Sequence, residues 1–202
     1  MKIGFSQPKV LDFDIEVRPL GWYGGDFVHK EVTAIASAWV VDGEPFNLQV
    51  YLLQRHDKSP KRILTLFRAR YDAADMVTGH YVRGFDLPIL NGAMYEYDLG
   101  ALDPKLSHDT KLDEIKTQGL SHSQENKASM LEIVAPKVQM TMASWRMANR
   151  LLKDGLELVR ERVAGDVIQN IYMREEQMRR GFLGKPSVWD PGSTSFTASY
   201  VP

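Results

Sequence analysis

The sequence predicts an α/β domain: a mixed sheet of about five strands, the first three antiparallel, with helices on both faces. Three observations carry this. Period-two and β-branched segments fill the first third, helical and strand patterns alternate through the middle, and helical periodicity dominates from residue 129 onward. With 202 residues, 44% hydrophobic, the chain is long enough to bury one sizeable core, so residues 1–183 are expected to form a single domain.

Residues 9–16 alternate Val10, Asp12, Asp14 and Glu16 on one side with Leu11, Phe13 and Ile15 on the other, the mark of a strand with one apolar face. A Gly-rich aromatic connection over 19–26 leads to residues 32–41, small and β-branched enough for a strand buried on both faces. Asp42-Gly43 supplies a turn, and residues 46–53 follow at hairpin distance, giving an antiparallel meander. Ser59-Pro60 opens a helix whose Ile63, Leu64, Phe67 and Tyr71 fall on one face, with Ser at the cap and Pro at the first position. Residues 76–81 read as a short buried strand, 85–90 as the start of a helix, and 106–110 as a last short strand. The helical region beyond residue 129 is interrupted at Pro136 and Gly155, and 156–180 is its longest uninterrupted stretch. Residues 184–202, rich in Gly, Pro, Ser and Thr, read as an irregular arm.

Composition excludes several chemistries. With no cysteine there is no disulfide, thiolate-zinc site, iron–sulfur cluster or cysteine nucleophile, which suits a reducing compartment and makes the cytoplasm the default expectation. No apolar run approaches the roughly 20 residues that cross a bilayer, and the first residues lack a signal-peptide core, so no membrane partner is expected. A formal net charge of -1 leaves only local basic patches to meet a polyanion. The five histidines show no paired metal-ligand spacing.

Asp14 and Glu16 lie two apart on a strand, so their side chains leave the same face about 7 Å apart at their attachment points. Like charges so placed in a partly dry site raise a pKa or recruit a hard cation such as Mg²⁺ or Mn²⁺; on an exposed strand face they need do neither. Asp86, after Phe85, stands at a strand-to-helix junction where a capping role is equally natural. Asp166 is the acidic residue among Val163, Val167 and Ile168, and needs a partner if that helix face is buried.

These pieces, in this order, resemble the DEDD superfamily of 3′–5′ exonucleases, proofreading-type enzymes with a ribonuclease-H-like fold. The resemblance runs over about residues 9–180. It rests on Phe13-Asp14-Ile15-Glu16, on Gly79-His80-Tyr81-Val82-Arg83-Gly84-Phe85-Asp86-Leu87-Pro88 with Tyr81 where Asn is usual, and on Gly165-Asp166-Val167. His108-Asp109-Thr110 looks like the Asp-Thr strand that follows the second motif in many members. What the resemblance implies is a metal-dependent 3′–5′ exonuclease in which Asp14, Glu16, Asp86 and Asp166 hold two Mg²⁺ or Mn²⁺ ions and act on the 3′ end of single-stranded DNA or RNA, releasing nucleoside monophosphates. A role in DNA replication or repair beside a polymerase or other replication protein, in a bacterial cytoplasm or as a phage protein in its host, would suit so small a nuclease.

One departure stands out. The family's Tyr or His before the last Asp is replaced by Arg162 and Glu161. Arg162 stays protonated and cannot be a general base, whereas Glu161 can if its helix face reaches the metals. That departure opens an alternative, a weakened or inactive nucleic-acid-binding or polymerase-associated relative. A metal-dependent endonuclease on the same scaffold is a third reading, which the Phe85-Asp86 motif disfavours. Trp22 and Tyr23 are candidates to stack on terminal bases. His80, Tyr81, Arg83 and Phe85 are candidates to line the substrate path, and arginines such as Arg62, Arg68 and Arg70 to meet the phosphate backbone.

Overall fold

The first strand, β1 (Val10–Pro19), pairs antiparallel with β2 (Lys30–Val41) and parallel with β4 (Met76–Gly79), so the strand bearing the acidic pair lies inside the sheet. The computed structural model describes residues 8–20, 29–135 and 137–192. β3 (Glu44–Leu52) flanks β2 antiparallel, β5 (Lys105–Asp109) lies parallel to β4, and β6 (Ser187–Trp189) closes the far edge antiparallel to β5. The resulting order is β3-β2-β1-β4-β5-β6, a mixed sheet with the expected antiparallel meander at one side. The sixth strand lies within the stretch read as an irregular arm. Three residues of pairing leave no usable periodicity in sequence, and they are fixed instead by Ser107 Oγ donating to the Ser187 carbonyl at 3.1 Å.

Alternation along β1 sorts the two faces. Phe13 packs its ring 5.0 Å from Phe67 of α1 (Lys61–Ala73), whose buried Ile63, Leu64, Phe67 and Tyr71 are the four residues on the periodic apolar face. The cap is shifted by one residue: Pro60 takes the N-cap place and makes no side-chain bond, while the Ser59 hydroxyl accepts from Lys61 N at 3.4 Å. On the opposite face Asp12 accepts from Asn170 Nδ2 at 2.6 Å, which puts α5 (Lys153–Arg179) behind the polar side of β1. Helices therefore cover both faces. α2 (Asp86–Glu96) follows β4, and α3 (Gln124–Met130) and α4 (Met142–Asn149) lead into α5.

Gly155 is not the break its residue type implies. It sits in the first turn of α5, and a Cβ there would collide with the Met147 and Ala148 backbone of α4, so glycine allows the two helices to approach. Among the described residues no helix is long and apolar enough to cross a membrane.

Candidate metal centre

Residues with the period-two spacing of β1 set the floor of the site. Asp14 and Glu16 project toward α5, both half-buried, and Asp166 on α5 meets them from above. One carboxylate oxygen from each of Asp14, Glu16 and Asp166 lies within 4.8 Å of the other two. Opposite ligands in a Mg²⁺ octahedron are about 4 Å apart, so these oxygens stand near the spacing of a hard divalent cation's ligands.

Asp86 joins from another direction. It is the first residue of α2, with Phe85 at the N-cap position, and it is nearly fully buried. Its Oδ1 accepts the Ile15 backbone N–H at 3.1 Å, which fastens the start of α2 to the strand between the two acids. Asp86 lines the same cavity as Asp14, Glu16 and Asp166, of about 380 Å³, within the range of small-ligand sites.

The electrostatics are those of acids crowded in a dry place. Burial, then the charges of Asp86, Asp166, Glu16 and Asp12, pushes Asp14 well above the ordinary carboxylate range. Burial also raises Asp86, against the pull of the backbone N–H groups of Ile15 and Asp86 itself. Glu16 is pushed up to about 7, by burial first and Asp166 next, with Arg162 and Lys137 acting the other way. Such a cluster takes up protons or a cation; it does not stay fully ionised and bare.

Two basic side chains meet Asp166. Lys137 Nζ lies 2.6 Å from Oδ1 and Arg162 Nε 2.8 Å from Oδ2, the latter across one helical turn. Gln124 Nε2 donates to the Asp166 carbonyl at 2.7 Å, and Glu125 stands outside, 3.7 Å from Lys137 and 3.6 Å from Arg162. Arg162 thus forms an ion pair with the aspartate one turn on, while its Nη1 donates to the Val138 carbonyl at 3.3 Å. Lys137, Gln124 and Glu125 carried no motif; a lysine directly after Pro136 in a segment between helices gives no periodic signal of its own.

The remaining sequence candidates separate clearly. His80 lines the cavity, but Nε2 donates to the His122 carbonyl at 3.0 Å and Nδ1 lies 3.1 Å from Thr110 Oγ1; burial, then Lys127, lowers its pKa to about 4, so it is neutral. Tyr81 and Phe85 also line the cavity, with Lys111 Nζ 4.0 Å over the Tyr81 ring and Lys30 Nζ 4.7 Å over that of Phe85. Tyr81 adopts a left-handed φ of 69°, and its ring occupies the space a side chain at Gly84 would need. Arg83, by contrast, turns away onto Asp113 and Ser107 and does not line the cavity. Glu161 is exposed and lies outside the cavity lining, because it is five residues from Asp166 and so points to another side of α5. The tyrosine of α5 that follows Asp166, Tyr172, is six residues further along the helix and outside the cavity lining, its hydroxyl donating to Glu44 Oε2 of β3 at 2.8 Å. Trp22 and Tyr23 lie outside the described residues.

Several arginines are structural. Arg62 donates to the Leu52 carbonyl, Arg68 to those of Leu99 and Gly100, and Arg70 to that of Asn47. Asp109 is likewise a scaffold residue: Oδ1 accepts the backbone N–H groups of Tyr81, Lys111 and Leu112, and Oδ2 that of Arg83, all at 3.0 Å. It ties the end of β5 to the loop that carries Tyr81 and Phe85 to the cavity.

No protein-family model and no curated protein matches this sequence. Among solved structures, the chain is similar to a family B DNA polymerase from the hyperthermophilic archaeon Pyrobaculum calidifontis, with a TM-score of 0.61 and 19% identity, over 88% of this chain and 25% of that one. The chain thus spans about a quarter of the polymerase chain's length, and at this identity the likeness is one of fold.

Proposed function

We propose that this protein is a metal-dependent 3′–5′ exonuclease that hydrolyses the terminal phosphodiester of single-stranded nucleic acid and releases nucleoside monophosphates. The observation that carries the reading is the convergence of Asp14, Glu16 and Asp166, with Asp86 beside them, from three separate parts of the chain into one cavity. The ordered acidic motifs and the fold likeness to a family B DNA polymerase chain support it, and residues 1–183, together with β6 at the edge of the sheet, are taken as the nuclease domain.

In this reading the carboxylates of Asp14, Glu16 and Asp166 hold Mg²⁺ or Mn²⁺, with Asp86 completing the acidic wall. The ion, when bound, lowers the pKa of water and offsets charge on the phosphate. The chain's own residues do the rest. Asp86 fixes the start of α2 to β1, Asp109 holds the loop bearing Tyr81 and Phe85, and those two rings offer flat surfaces to the terminal nucleotide. No Tyr or His stands in the family's base position, and Glu161 lies outside the cavity, so removal of the water proton is left to solvent or to the carboxylates themselves.

A second reading, a weakened nucleic-acid-binding relative that serves a polymerase, is favoured by one observation: Arg162 closes onto Asp166 where the family places a water-orienting group. Incubation of 5′-labelled and 3′-labelled single strands with Mg²⁺ or Mn²⁺ separates the readings. A ladder shortening from the 3′ end, absent in Asp14→Ala, supports exonuclease action. Retention of the strand without cleavage supports the second reading, and internal cuts contradict both.

A further inference from the structure

Asp166 already faces two cations before any metal is considered. Its Oδ1 meets the Lys137 ammonium at 2.6 Å and its Oδ2 the Arg162 guanidinium at 2.8 Å, and the side chains of Asp166 and Lys137 are 8% and 7% exposed. Lys137 is further held by the Gln169 side-chain oxygen at 3.3 Å, and Arg162 donates to the Val138 carbonyl at 3.3 Å. Neither cation is a loose surface group.

Charge balance then sets the number of ions. Asp14, Glu16, Asp86 and Asp166 supply four negative charges when ionised, and Lys137 and Arg162 return two of them. The remainder equals one divalent cation. A second divalent ion in the same cavity would stand near the Lys137 and Arg162 charges, with too little negative charge left to hold it. Glu125 does not alter this: it stands at the mouth, half-exposed, with longer contacts of 3.7 and 3.6 Å to the same two cations. Lys111 and Lys30, over the rings of Tyr81 and Phe85, add only further positive charge nearby.

We propose that this centre binds a single divalent ion among Asp14, Glu16 and Asp166, and that Lys137 and Arg162, held against Asp166, take the place of a second. The proposal rests on the nuclease reading of the same site. Its consequence is a positive pair of protein origin, permanently present, beside a single exchangeable ion.

The test counts Mn²⁺ bound to the full chain by titration calorimetry and by loss of the free-ion electron paramagnetic resonance signal, with and without a nucleoside 5′-monophosphate. One ion per chain is expected for the wild type under both conditions, with no spin-coupled manganese pair in the spectrum. Two ions are expected for the double variant Lys137→Gln, Arg162→Gln. Two ions, or a coupled pair, on the wild type overturns the inference and leaves the nuclease reading intact. One ion on both proteins overturns the claim that the two side chains replace a metal. No ion on the wild type overturns the metal-dependent reading itself. Should the double variant not fold, the wild-type count and spectrum decide alone.

Discussion

The carboxylate of Asp86 accepts the backbone N–H of Ile15, 71 residues earlier in the chain, at 3.1 Å. The second acidic motif is therefore bonded to the strand that carries the first, at the residue between its two acids. Asp86 has two separable duties: an acceptor for β1 and a charge in the cavity wall.

Asp86→Asn keeps an acceptor for Ile15 and removes the charge. It is expected to fold with nearly unchanged stability while Mn²⁺ affinity falls at least about tenfold, equal to some 1.4 kcal/mol. Asp86→Ala leaves the Ile15 donor unmatched and is expected to lose a further 1–3 kcal/mol or so of stability. Urea titration and calorimetry on the two variants check this; equal stability losses would deny the bond its role.

Metal binding is expected to become more stabilising as pH rises. Glu16 is held up to about 7 by burial and by Asp166, so below that pH a cation must displace its proton. The raised value means the folded state holds this proton across roughly pH 4.5–7, where the unfolded chain has released it, so Glu16 favours the fold at low pH and costs stability as pH rises through that window. A divalent ion removes that cost. The rise in melting temperature on adding saturating Mn²⁺ should be clearly larger at pH 8 than at pH 5.5. His80 and His108, whose pKa values burial lowers, act in the opposite direction to Glu16.

Asp109 holds four backbone donors, so Asp109→Ala is expected to cost more than about 3 kcal/mol, measured by chemical denaturation, and to increase amide exchange at Tyr81, Arg83, Lys111 and Leu112. Asp109→Asn retains one acceptor oxygen and should lose roughly half as much. A mild effect of the alanine variant would show that the loop is held by other contacts.

Tyr172 lies against Glu44, and Glu161 is exposed outside the cavity lining. Tyr172→Phe and Glu161→Gln should each leave hydrolysis within about twofold and stability within roughly 0.5 kcal/mol of wild type. A hundredfold loss from either would identify it as the missing base.

Much of the fold is legible because its elements are periodic. Leu11, Phe13 and Ile15 against Asp12, Asp14 and Glu16 state both the strand and its two faces, and Ile63, Leu64, Phe67 and Tyr71 state the buried side of α1. The acidic quartet is legible as motifs in order. What sequence does not disclose depends on partners distant along the chain: β6 exists through its pairing with β5, Gly155 is helical because α4 passes close by, and Asp109 serves loops on either side of it. Asp12, which continues the alternation of Asp14 and Glu16, does not reach the cavity and is instead buried against Asn170. Lys137 is the largest omission, since only the fold brings it to Asp166.

The most direct measurement is product analysis of a single-stranded oligonucleotide incubated with the protein and Mn²⁺. Nucleoside monophosphates are expected to be released in order from the 3′ end, with a rate that Asp14→Ala lowers about a thousandfold or more, as loss of several kcal/mol of metal-derived stabilisation requires. Intact oligonucleotide with Mn²⁺ bound, or release that Asp14→Ala leaves unchanged, would contradict the exonuclease reading.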